Sequence, residues 1–132
     1  MSAEFCCAIR TEMDVRRAVL ESTRYSQETG FEEAPSRMIA TAVSELTRNI
    51  LKYADSGEFR LRRVEGPSGR GIEIEVSDHG PGIADLDAAM SDHFSSGGTL
   101  GLGLPGVKRM MDEFSLESTP GQGTRVTARK WI

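Results

Sequence analysis

Strict alternation of apolar and polar residues marks two neighbouring stretches of the chain. In "GEFRLRRVEG" (57–66), Phe59 and Leu61 point one way and Arg60 and Arg62 the other; in "GIEIEVSD" (71–78), Ile72, Ile74 and Val76 share one face. With the turn "PSG" (67–69) between them, they predict a β-hairpin. Residues 4–10, "EFCCAIR", predict an edge-type strand with Phe5, Cys7 and Ile9 on one face. The period changes to that of a helix over 12–29, where Met13, Val15, Ala18, Val19 and Tyr25 recur among charges until Gly30 ends the segment. Pro35 opens a second, longer helix over 35–54, whose apolar stripe is Ile39, Ala42, Val43, Leu46, Ile50 and Tyr53.

Residues 79–103 read as a loop interrupted by a short helical piece at 85–90. A helix over 104–114, a strand over 115–119, a turn at 120–123 and a final strand over 124–131 follow. The order β-α-α-β-β-loop-α-β-β predicts an α+β two-layer sandwich, a mixed or antiparallel sheet with helices on one face, in a single domain over 1–132. A net charge of −4 argues against a dedicated nucleic-acid binder. No apolar run reaches membrane-spanning length and the start has no signal-peptide shape, so the expected compartment is the cytoplasm. Cys6 and Cys7 are adjacent and lack metal-ligand spacing, which favours two reduced thiols in a strand.

The candidate chemistry begins with glycines. Gly101-Leu102-Gly103-Leu104-Pro105-Gly106 satisfies the G-x-G-x-x-G pattern of dinucleotide-binding proteins, but no strand precedes it. Only 26 residues follow Gly106, too few for alternating parallel units, so that assignment fails. On the long helix, Glu45 and Asn49 stack one turn apart at the border of the apolar stripe, facing a partly enclosed crevice. Glu45 could equally be a solvated helix glutamate paired with Arg48 or Lys52. Asp78 shares the inward parity of Ile72, Ile74 and Val76, where a carboxylate is costly unless paired or bound. Gly80 and Gly82 behind it permit close approach of a ligand, and Thr124 shares parity with Val126 and Ala128. Taken alone, "DHGPG" and "GQGT" fit ordinary turns, and the glycine cluster fits a surface loop.

The ordered set says more than its parts. "ELTRN" (45–49), "DHGPG" (78–82), "GGTLGLGLPG" (97–106) and "GQGT" (121–124) together resemble the four boxes of the GHKL ATPase superfamily and its Bergerat fold. "SELTRNILKYA", "LPGVKRMMDEF" and the ending "KWI" are similar, more specifically, to RsbT-type serine/threonine switch kinases of stress-signalling modules. The resemblance implies that Asn49 binds Mg²⁺ bridging the phosphates of ATP, and that Glu45 orients and deprotonates the attacking hydroxyl. It implies that Asp78 accepts the adenine amino group with help from Gly80, Gly82 and Thr124. It makes Gly97, Gly98, Gly101, Leu102 and Gly103 a mobile phosphate lid. The implied substrate is a STAS-domain antagonist and the second partner a metal-dependent serine phosphatase regulator, as in a stressosome cascade. The alternative is an RsbW-type anti-sigma factor kinase that sequesters a sigma factor and phosphorylates an anti-anti-sigma protein. A non-catalytic nucleotide-binding regulator is disfavoured by the intact Glu45/Asn49 pair.

Overall fold

The computed structural model describes residues 4–67, 69–82 and 103–132. Five strands, β1 (Glu4–Ile9), β2 (Gly57–Gly66), β3 (Gly69–Asp78), β4 (Glu113–Thr119) and β5 (Gly123–Trp131), form one sheet in the order β1-β2-β3-β5-β4. All four pairings are antiparallel, so the α+β two-layer class holds, and of the two sheets open to the element order the structure has the antiparallel one, not the mixed one. Three helices, α1 (Glu12–Thr29), α2 (Glu33–Tyr53) and α3 (Gly103–Met110), complete the described architecture. The predicted helical piece at 85–90 lies outside the described residues.

The core forms where the inward set of the sheet meets the helices. Ile9, Phe59, Leu61, Ile72, Ile74, Val76, Val126 and Ala128 are buried together with Val15, Ala18 and Tyr25 of α1 and with Ile39, Ala42, Val43, Leu46 and Ile50 of α2. Each of the larger side chains contributes roughly 1.5–3 kcal/mol on burial. A capping box begins α1: the Asp14 N–H donates to the Thr11 hydroxyl, and the Asp14 carboxylate accepts from the Thr11 N–H at 3.1 Å. Gly30, at φ +111°, ends it in the left-handed conformation.

Several boundaries depart from the pattern in the chain. The second helix starts at Glu33, which leaves Pro35 inside the first turn, where a missing N–H costs nothing. The third helix stops at Met110 rather than 114, because Glu113 and Phe114 are recruited to pair with Arg129 and Ala128 of β5. Met13 is 69% exposed and Tyr53 is 49% exposed, so both leave the apolar faces assigned to them. The Lys52 ammonium lies 5.3 Å from the Tyr53 ring centroid. Cys6 and Cys7 are free thiols, exposed and half-buried respectively, and burial raises the Cys7 pKa.

The outer face of the sheet carries a charge cluster that alternation alone would label as solvated. Glu73 is only 3% exposed, with Oε1 accepting from Arg129 Nε at 2.8 Å and Oε2 from Arg62 Nε at 2.7 Å. Arg129 reaches on to Glu113. Beside this cluster the Trp131 indole lies over Gly66 and Gly71, where a Cβ would come within 2.9 and 2.6 Å of the ring. Arg63, by contrast, turns inward: its Nε donates to the Thr29 hydroxyl at 3.1 Å and its guanidinium lies 4.6 Å from the Tyr25 ring centroid.

Burial raises the Glu73 pKa, but the two guanidiniums outweigh it and hold the group below the ordinary value of 4.5. A depressed carboxylate pKa gives stability that is present above the unfolded value and lost as pH falls through the folded one. Glu73→Gln should therefore lower stability by about 1–3 kcal/mol at pH 7. Its deficit should shrink below pH 4.5 in urea titrations. A deficit that stays constant with pH would show that the charge of Glu73 contributes nothing.

Candidate functional site

The site is built on α2, whose apolar stripe pins one side of the helix to the sheet. Glu45 lies deeper than the stripe border suggests, at 3% exposure among the core side chains. Its Oε2 is buried and has no hydrogen-bond partner among the described residues. Pairing with Arg48 does not occur, because that guanidinium binds the Glu12 carboxylate at 2.8 Å and the Ser44 hydroxyl at 3.2 Å. Asn49 follows one helical turn later, about 6 Å along the axis, and is half-buried. The helix therefore presents a carboxylate and a carboxamide in sequence, the first enclosed and the second reachable.

Asp78 ends β3 with its side chain on the inward face. Its Oδ1 accepts from the Gly80 N–H at 2.9 Å, a local turn that aims the carboxylate. Glycines press in around it. Gly57 pairs with Asp78 across the β2–β3 ladder, and a Cβ there would lie 2.5 Å from the Ser77 carbonyl and 2.9 Å from Ile50 of α2. Gly80 touches α2 at its end, where a Cβ would stand 2.6 Å from that of Ala54. These two contacts join the end of β3 to the end of α2, and so the Asp78 group to the helix that carries Glu45 and Asn49.

The hairpin between β4 and β5 closes the other side. Gly82 (φ +77°) has no room for a Cβ against the Thr119 carbonyl, and Gly123 (φ +131°) none against the Asp78 carbonyl. The Gly121 N–H donates to the Pro81 carbonyl at 2.7 Å. The register Ser77↔Arg125, carried one step further, sets Thr124 opposite Asp78. The Thr124 hydroxyl is 2.9 Å from that of Ser118. "DHGPG" and "GQGT", distant in the chain, are thus two walls of one corner.

Gly97, Gly98, Gly101 and Leu102 lie outside the described residues; Gly103 is the first residue of α3, at φ +55°. The sequence reading missed Gly57 and Ser118. Gly57 begins a strand and has no motif around it, so the signal that it floors the Asp78 corner exists only in the strand register. No group of three or more His, Cys, Asp or Glu that could hold a metal occurs among the described residues. A metal here would take few protein ligands, as magnesium does, and Asn49 is the type of residue that supplies one. The orphaned Glu45 oxygen, an acceptor, fits a hydrogen-bond donor such as a hydroxyl, and the tight glycine corner lets a ligand come close to Asp78.

Residues 34–131 match the family described as histidine kinase-, DNA gyrase B-, and HSP90-like ATPase. Over 132 residues the chain is 44% identical to the serine/threonine-protein kinase RsbT of Bacillus subtilis (strain 168), covering 100% of this chain and 99% of that protein. It is 37% identical over 98 residues to the anti-sigma F factor of Thermoanaerobacter sp. (strain X514), covering 71% of this chain and 68% of that protein. A chain in the crystal structure of the SiaB–SiaC complex from Pseudomonas aeruginosa shares the fold, with a TM-score of 0.60 at 12% identity over 97% of this chain and 89% of that one. The mycobacterial sensor histidine kinase MprB does so at a TM-score of 0.56 and 18% identity, over 98% and 99% of the two chains. The chain belongs to this ATPase family and, within it, is a serine/threonine-protein kinase.

An enclosed carboxylate with an unpartnered oxygen destabilises the ligand-free fold. Glu45→Met, which replaces the orphaned polar end with an apolar one of similar volume, should stabilise the chain by about 1–2 kcal/mol, read as a higher urea midpoint. An unchanged or lower midpoint would mean that Oε2 carries no such cost.

Proposed function

We propose that this kinase transfers the γ-phosphoryl group of ATP to a serine or threonine of a STAS-domain antagonist protein. It then exchanges that partner for a metal-dependent serine phosphatase regulator, which it activates in a cytoplasmic stress-response cascade. The observation that carries the reading is Glu45, a buried carboxylate with an oxygen unpartnered among the described residues, one turn from a half-buried Asn49. Such a pair suits the removal of a proton from a hydroxyl beside a metal-bound phosphate, because the enclosing side chains exclude competing water.

In this reading Glu45 orients the acceptor hydroxyl and takes its proton as the new O–P bond forms and the bond to the leaving β-phosphate oxygen breaks. Asn49 would hold Mg²⁺ through its side-chain oxygen, and the ion would supply charge neutralisation at the phosphates. Asp78 accepts the adenine amino group, with Gly80, Gly82 and Thr124 shaping its surroundings. Gly97, Gly98, Gly101, Leu102 and Gly103 enclose the phosphates. The 44% identity to RsbT over the full chain supports partner switching toward a phosphatase regulator. The anti-sigma F factors support a second reading, in which a sigma factor is sequestered, but over 71% of the chain only.

Intact-mass analysis of a STAS-domain partner after incubation with Mg·ATP tests the reading. The wild-type chain should add one phosphoryl group; Glu45→Ala should add none while still binding ATP, and Asp78→Asn should not bind ATP. Asn49→Ala should lose the Mg²⁺-dependent part of the activity. Full transfer by Glu45→Ala would exclude it as the base. ATP binding by the wild type without transfer to any STAS partner would overturn the STAS-substrate reading and point to a different substrate, or to a regulator that binds a sigma factor or acts without catalysis.

A further inference from the structure

The end of β5 grips the helix that follows the glycine lid. Lys130 shares the inward parity of Val126 and Ala128, and its ammonium donates to the Met110 carbonyl, the last of α3, at 2.6 Å. The Asp112 N–H donates to the Arg129 carbonyl at 2.9 Å, and the Asp112 carboxylate accepts from the Trp131 N–H at 2.8 Å. Three successive residues of one strand therefore hold the C-terminal end of α3 and the bend behind it. Lys108 and Arg109 belong to the same last turn but face outward, so the cation at the helix end comes from a different element.

The opposite end of α3 has different chemistry. The first-turn N–H groups of Gly103 and Leu104 have no intrahelical acceptor, and Pro105 has no N–H to offer. Leu104, Pro105, Gly106 and Val107 are buried, and the helix packs on α2, which carries Glu45 and Asn49. A helix of this length is about 12 Å long, so a tilt of about 5° at Met110 displaces the Gly103 end by about 1 Å. That is enough to lengthen a hydrogen bond beyond usefulness.

We propose that Lys130 is a positioning residue for the phosphate groups of the nucleotide. By neutralising and fixing the C-terminal carbonyl of α3, it sets the place and direction of the N-terminal amides at the other end. The inference rests on the nucleotide-binding reading above. Removing the ammonium frees the helix end without touching Asp78, Glu45 or Asn49. The loss therefore falls on ligands that carry phosphates and spares the nucleoside.

Calorimetric titration of the full chain with ATP, ADP and adenosine separates the possibilities, using the wild type, Lys130→Met and Lys130→Arg. Lys130→Met should weaken ATP and ADP by about three- to tenfold with adenosine within about twofold of wild type, and Lys130→Arg should restore most of the loss. Equal weakening of all three ligands would reduce Lys130 to a general stabiliser of the fold and overturn the proposal. So would unchanged ATP affinity in Lys130→Met, or a Lys130→Arg chain as weak as Lys130→Met. A wild-type chain that binds neither adenosine nor ATP would instead sink the nucleotide reading itself, and the proposal with it.

Discussion

Glu45 is carried into the interior by the same helix that supplies much of the core. Ile39, Ala42, Val43, Leu46 and Ile50 hold α2 against the sheet, and the larger of them contribute roughly 1.5–3 kcal/mol apiece. One unpartnered polar group costs about 1–3 kcal/mol. The stripe therefore exceeds the penalty several times over, and the carboxylate is kept buried by packing it does not itself improve. Everything else in the site is arranged around this helix, because its rotation about its own axis is settled by those five side chains.

Backbone contact, more than side-chain chemistry, brings the remaining groups to α2. Gly57 lets the end of β3 approach Ile50, Gly80 lets the following turn approach Ala54, and Gly82 and Gly123 let the β4–β5 hairpin close on the same corner. A side chain at any of these positions would push one wall outward by an ångström or more. Asp78 is consequently aimed by the spacing of main chains and by one hydrogen bond from Gly80, with Thr124 beside it through register.

The outer face of the sheet and the end of β5 serve the same layer from the other side. Arg62, Glu73, Arg129 and Glu113 tie β2, β3, β5 and β4 together across four strands, while Trp131 covers Gly66 and Gly71 of the β2–β3 hairpin. Lys130, between these two outward residues, points inward to the C-terminal carbonyl of α3. Alternate residues of one strand thus bind the sheet edge and the helix at once, a direct result of the two-residue period.

Much of the architecture was legible in the chain by itself. Alternation defines the β2–β3 hairpin, the 3.6-residue stripe defines α2, and parity alone sets Asp78 and Thr124 on inward faces. The four motifs in order were enough for the ATPase family and the kinase class. Tertiary structure decided the rest. It drew Glu113 and Phe114 from helix into strand through pairing with β5, and it turned Met13 and Tyr53 outward. It also buried Glu73 between two arginines from neighbouring strands and made Gly57 part of the Asp78 corner. The division has a physical reason. Periodicity reports which face of an element is apolar, a property of adjacent residues, whereas a strand partner, a buried ion cluster or a close backbone approach depends on residues that meet only when distant segments pack.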